Sequence, residues 1–124
     1  MQVYRNVVVL ALLIALTVAG CAAIQRREAQ DTEQLLAAAD FQAKPADTPE
    51  KLANLRTMPP RQLVTRAKDG NFVYTYADPD YCQCLYVGGP KEYSAYQRLA
   101  VKKEIAQEQR DAAMDWGMWG PGWW

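Results

Sequence analysis

Two cysteines separated by one residue, Cys82-Gln83-Cys84, form the one pair in this 124-residue chain whose types and spacing could do chemistry. On a regular strand both side chains would point to one face with Cα atoms about 6.7 Å apart. That spacing lies at the outer edge of disulfide geometry, so an internal bridge requires a bulge or turn at this point and would be easily reduced. Four states are open to the pair: a structural bridge, two buried thiols, a pair of thiolates presented to a soft cation such as Cu(I), or a bridge to another chain. A metal site would need further ligands, for which Met114 and Met118 are the sulfur candidates. The spacing differs from the Cys-X-X-Cys of thioredoxin-like enzymes, in which a helix N-terminus lowers one thiol pKa.

The chain contains no His, which removes the usual base of Ser and Cys triads and the commonest metal ligand. Lys and Arg total 14 against 14 Asp and Glu, so there is no basic excess of the kind that marks a nucleic-acid binder. No small-molecule substrate or cofactor is implied by any motif. The expected function class is therefore a non-catalytic one, with a thiol-based redox or copper-binding protein using Cys82 and Cys84 as the alternative.

The pair must be positioned by a small domain, and the segment before that domain has its own logic. Arg5 precedes Val7-Val8-Val9-Leu10-Ala11-Leu12-Leu13-Ile14-Ala15-Leu16, an apolar run of signal-peptide rather than membrane-span length. Val18-Ala19-Gly20-Cys21 follows, with small residues where a signal peptidase requires them. This run resembles the bacterial lipobox at every position. The resemblance implies cleavage between Gly20 and Cys21, a diacylglycerol thioether on Cys21, and anchoring to a membrane through two or three acyl chains, enough for stable attachment. Ala22, by similarity to sorting signals of diderm lipoproteins, points to the periplasmic face of the outer membrane rather than to the inner membrane. The segment from Pro45 to Gly88 is also similar to small uncharacterised proteobacterial lipoproteins.

Cleavage would leave 104 residues with 13 basic and 14 acidic side chains, too near neutrality to hold a membrane by charge. The expected organisation is a signal peptide over 1–20, a lipidated terminus and polar tether over 21–30, an α+β domain over 31–115 and a Trp/Gly-rich tail over 116–124.

Within the domain, Asp31-Thr32-Glu33-Gln34 offers a cap before the helix formers Leu35 to Ala39. A weak strand over Phe41 to Lys44 ends at Pro45, and Thr48 with Pro49 and Glu50 predicts a second helix halted by Pro59-Pro60. Asp69-Gly70 predicts a two-residue hairpin placing Ala67 opposite Phe72, Thr65 opposite Tyr74 and Leu63 opposite Tyr76. Asp78-Pro79-Asp80 reads as a turn rather than a cation site, Tyr81 to Val87 as a third strand, and Lys91 to about Ala113 as a helix using Tyr93, Tyr96 and Leu99 to pack. The fold expected is α+β, a three- or four-stranded mostly antiparallel sheet with short N-terminal helices and a long C-terminal helix.

All four Trp residues fall between Trp116 and Trp124 among Gly and Pro, which predicts no regular helix there. Trp116 is assigned to completing the core. Trp119, Trp123 and Trp124 are candidates for contact with lipid, glycan or a periplasmic protein partner, with disorder of the end of the chain as the alternative.

Overall fold

A computed structural model describes residues 1–119, with side chains as far as Ala113. The fold is α+β. The helix α1 (Gln2–Ala38) is followed by β1 (Gln42–Pro45), α2 (Pro49–Arg56), β2 (Leu63–Lys68), β3 (Asn71–Asp78), β4 (Cys84–Gly88) and α3 (Pro90–Trp119). The strands form one antiparallel sheet in the order β1-β4-β3-β2.

The hairpin has the register the Asp-Gly turn dictates: Ala67 faces Phe72, Thr65 faces Tyr74 and Leu63 faces Tyr76. Asp69 and Gly70 both adopt positive φ, 52° and 80°, as a twist-matched two-residue turn requires. The face bearing Tyr74, Tyr76 and Tyr86 receives α1 and α3, and the core forms there from Leu36, Ala39, Phe41 and Tyr76. Tyr93, Tyr96 and Leu99 of α3 pack against this cluster as their spacing predicts, and Tyr93 stacks on Tyr74 with ring centroids 4.1 Å apart. Aromatic side chains supply much of the buried area that a chain poor in Leu, Ile and Val lacks.

Helix α1 is one continuous element, which corrects two expectations. Residues 21–30 are helical rather than an unstructured tether, and there is no separate helix start at Asp31. From Ala22 to Ala39 no Gly or Pro interrupts a run of good helix formers, so nothing stops the helix. Gln25, Ala29, Glu33 and Leu36 recur at helical spacing on the side that meets the domain, and Ala29 and Leu36 are buried. The helix ends where Asp40 takes a positive φ of 69°, and the Phe41 N–H donates to the Leu36 carbonyl at 3.0 Å. This Schellman-type stop delivers Phe41 into the core beside Leu36.

Helix α2 is capped as predicted, the Thr48 hydroxyl accepting from the Lys51 N–H at 3.2 Å, and buries Leu55. Helix α3 starts at Pro90, with the Glu92 carboxylate accepting from the Gly89 N–H at 3.0 Å. It continues through Trp116 and Gly117 to Trp119, beyond the expected break, because a helical Gly costs only about 1 kcal/mol. The core role assigned to Trp116, and the contacts assigned to Trp119, Trp123 and Trp124, lie outside the described side chains.

One close approach fixes the β1–β4–α3 junction. A Cβ added at Gly88 would lie 2.8 Å from two ring carbons of buried Phe41 and 3.0 Å from the Glu92 Cβ. Gly88→Ala is expected to destabilise the protein by about 1.5 kcal/mol through overpacking, read as a lower urea midpoint at unchanged slope.

Candidate functional site

The cysteine pair sits where α1 crosses the β3–β4 connection. Strand β4 begins at Cys84, three residues later than the predicted third strand, because residues 79–82 form a turn organised by Asp78. The Asp78 carboxylate is fully buried, and its Oδ1 accepts from the N–H groups of Asp80 at 3.1 Å and Tyr81 at 3.0 Å. The turn reading of Asp78-Pro79-Asp80 thus has a direct physical basis. Gln83 then adopts a left-handed φ of 51°, which brings the Cα atoms of Cys82 and Cys84 to 5.2 Å, and the two sulfurs are bridged. This turn is the departure from strand geometry that an internal bridge requires. Cys82 is exposed while Cys84 is buried.

Glu33 of α1 comes next to the bridge, a neighbour that sequence spacing could not reveal. One of its carboxyl oxygens and the two sulfurs lie within 4.8 Å of one another. Bridged sulfurs carry no thiolate, so in this state the two cysteines are poor ligands for a soft cation, and the side chains of Met114 and Met118 lie outside those described.

Glu33 and Asp78 form a carboxyl pair. Glu33 Oε1 and Asp78 Oδ2 are both buried without a hydrogen-bond partner, and a proton held between the two carboxyls would satisfy both. Burial, the hydrogen bond to Asp78 and the Asp78 charge together raise Glu33 from 4.5 to about 7. Burial also pushes Asp78 upward, but the hydrogen bond from Glu33 and the N–H groups of Tyr81, Asp80 and Cys82 outweigh it and hold Asp78 below its ordinary value. Below about pH 7 a proton shared by the pair is therefore held on the Glu33 side. Tyr76 and Tyr86 flank the pair, and desolvation together with the two carboxyl groups raises both phenols.

The outer side of the turn is tied to its neighbours by polar contacts. Arg61 pairs with Asp80 and lies 5.7 Å from the Tyr81 ring centroid, with Arg26 at 5.9 Å. The Tyr81 hydroxyl donates to Gln25 Oε1 at 3.0 Å. Residues 25–33 of α1, read from composition as tether and first helical turn, therefore form one wall of the site.

Cys21 is exposed on α1, one helical turn before Gln25. No family model, curated protein or solved structure matches the chain.

Proposed function

We propose that the protein is a lipid-anchored lipoprotein of the bacterial cell envelope, held through Cys21 and presenting its α+β domain as a non-catalytic interaction module. The observation that carries this reading is the division of α1. The apolar window of the helix has mean hydropathy 2.9 and none of it is buried in the domain, whereas burial begins at Ala29. The segment that would be removed contributes nothing to the core. The segment that would remain, residues 21–38, is docked by Ala29 and Leu36.

In the processed protein the stretch from Cys21 to Ala29 is a helical stalk of about 12 Å. The domain then stands at the headgroup level in a restricted orientation instead of swinging on a flexible linker, and Ala22 favours the outer-membrane periplasmic face. Trp119, Trp123 and Trp124 are the residues proposed, from their type, to contact lipid or a periplasmic protein partner.

Mass spectrometry of the protein extracted from membranes of a diderm host tests this. The N-terminal peptide is expected to begin at Cys21 and to carry the diacylglyceryl and acyl masses, and Cys21→Ser is expected to accumulate the full-length, unacylated precursor. An unmodified Cys21, or a terminus at another residue, would refute the anchor.

A further inference from the structure

The two sulfurs of the Cys82–Cys84 bridge are unlike. Cys82 lies exposed in the turn, open to an incoming nucleophile, and Cys84 is buried at the head of β4 with Glu33 beside it. A bridge between residues two apart closes a very short loop and so contributes little by restricting the unfolded chain. It nevertheless comes with Gln83 in a left-handed conformation and with Glu33 of α1 beside it, one carboxyl oxygen within 4.8 Å of both sulfurs. A purely structural bridge has no use for a proton donor, whereas a bridge that opens leaves a thiolate in a buried position and needs one.

We infer that Cys82–Cys84 is a reversible thiol–disulfide exchange site at which Glu33 delivers the proton to the departing Cys84 sulfur and the co-reactant is an external dithiol. A thiolate of the dithiol attacks Cys82 Sγ, the new S–S bond forms as the Cys82–Cys84 bond breaks, and the electron pair of that bond leaves on Cys84 Sγ. Glu33 transfers its proton to Cys84, directly or through one bridging water, and becomes the carboxylate. The second thiol of the dithiol gives its proton to water and attacks the dithiol's own sulfur in the mixed disulfide, closing the dithiol's disulfide and releasing Cys82 as a thiolate, which takes up a proton from water. The bridge gains two electrons and two protons, and the dithiol is oxidised to its disulfide. In reverse, the Glu33 carboxylate accepts the Cys84 proton.

The ionisable groups around Glu33 fit this role. Asp78 lies beside it from β3 and Tyr76 and Tyr86 flank it from β3 and β4; Arg61, before β2, acts on Tyr76 rather than on Glu33, and Asp31 of α1 is paired with Lys103 of α3 at 3.1 Å. Because Asp78 is held ionised by backbone N–H groups, Glu33 keeps its proton up to about pH 7, where a donor to a thiolate is best matched. The inference stands independently of Cys21.

The test opens the bridge in the full-length protein in detergent micelles with dithiothreitol, quenches by alkylation, and counts labelled cysteines. Each rate is divided by that of an oxidised peptide spanning residues 80–86, which cancels the reductant's own pH dependence. The ratio is expected to fall about tenfold with an inflection near pH 7, and Glu33→Gln is expected to hold it at the low value throughout. A neutral phosphine in place of dithiothreitol should reproduce the inflection. A flat ratio in the wild-type protein, a bridge inert to the reductant while the protein stays folded, or an inflection seen only with the anionic thiolate would overturn the inference; the wild-type profile decides even if the variant fails to fold.

Discussion

Asp78→Ala is expected to destabilise the protein by about 3 kcal/mol, more than any other single side-chain truncation around the bridge. The carboxylate is fully buried and organises the β3–β4 connection by accepting from the N–H groups of Asp80 and Tyr81. Alanine leaves those donors without a partner and removes the acceptor that Glu33 Oε1 faces. Each orphaned group costs about 1–3 kcal/mol, with the lower figure applying where water reaches the turn. Asp78→Asn keeps an acceptor oxygen and loses only the charge, so a cost nearer 1 kcal/mol is expected. Urea unfolding at pH 6 separates the two outcomes. An alanine variant within 0.5 kcal/mol of wild type would mean that the turn is held by Arg61 and Tyr81 instead.

The two variants also differ in what they do to Glu33. Losing the Asp78 charge removes one of the causes that raise its pKa, so in Asp78→Asn the Glu33 carboxyl should titrate lower than in the wild type. Carbon-detected NMR of the side-chain carboxyl reads this directly. No change would show that desolvation alone sets the Glu33 value.

The elements legible in the sequence were those specified by neighbours along the chain. Asp69-Gly70 dictates a turn and, through it, the complete β2–β3 register. Thr48-Pro49 dictates a capped helix, and Tyr93, Tyr96 and Leu99 share one face of any helix that contains them. The extent of α1 was not legible, because its polar stretch from Gln25 to Gln30 has no apolar stripe to betray its docking. Only Ala29 among those residues is buried, and the contacts that hold this side are polar ones, from Gln25 to Tyr81 and from Arg26 over the same ring.

The site was half legible for the same reason. The cysteine pair and the Asp78 turn could be read from local spacing, and so could the need for a turn if the cysteines were to bridge. Glu33 stands 49 residues before Cys82 in the chain. Only the packing of α1 across the sheet brings it to the sulfurs, and a Glu-Gln pair followed by Leu-Leu-Ala-Ala carries no mark of burial. Ala29 and Leu36 lie four and three residues from Glu33 and share its helix face, so their burial in the folded protein places Glu33 inward.

That inward placement gives the protein an unusual dependence on pH. Glu33 is raised to about 7 in the folded protein from 4.5, so between those values the folded state binds more protons than the unfolded chain. Its contribution is fully present below about pH 4.5 and is lost as pH rises through 7. Asp78 acts in the opposite sense: lowered in the folded state, it contributes above pH 3.8 and loses that contribution as pH falls through its depressed value. The pair together places maximum stability near pH 4–5 rather than at neutrality. A carboxyl moved from 4.5 to about 7 corresponds to about 3 kcal/mol at full coupling, and the partial exposure of Glu33 reduces this to about 2 kcal/mol. Unfolding free energy is therefore expected to drop by about 2 kcal/mol between pH 5 and pH 8. In Glu33→Gln this drop should vanish, because the amide donates to Asp78 at every pH, so the variant should match the wild type at pH 5 and exceed it at pH 8. Tyr76 and Tyr86, both raised, stay protonated throughout this range and leave the comparison to the carboxyl pair. An equal drop in the variant would assign the pH dependence to groups outside the pair and would remove the case for a proton stored on Glu33 beside the bridge.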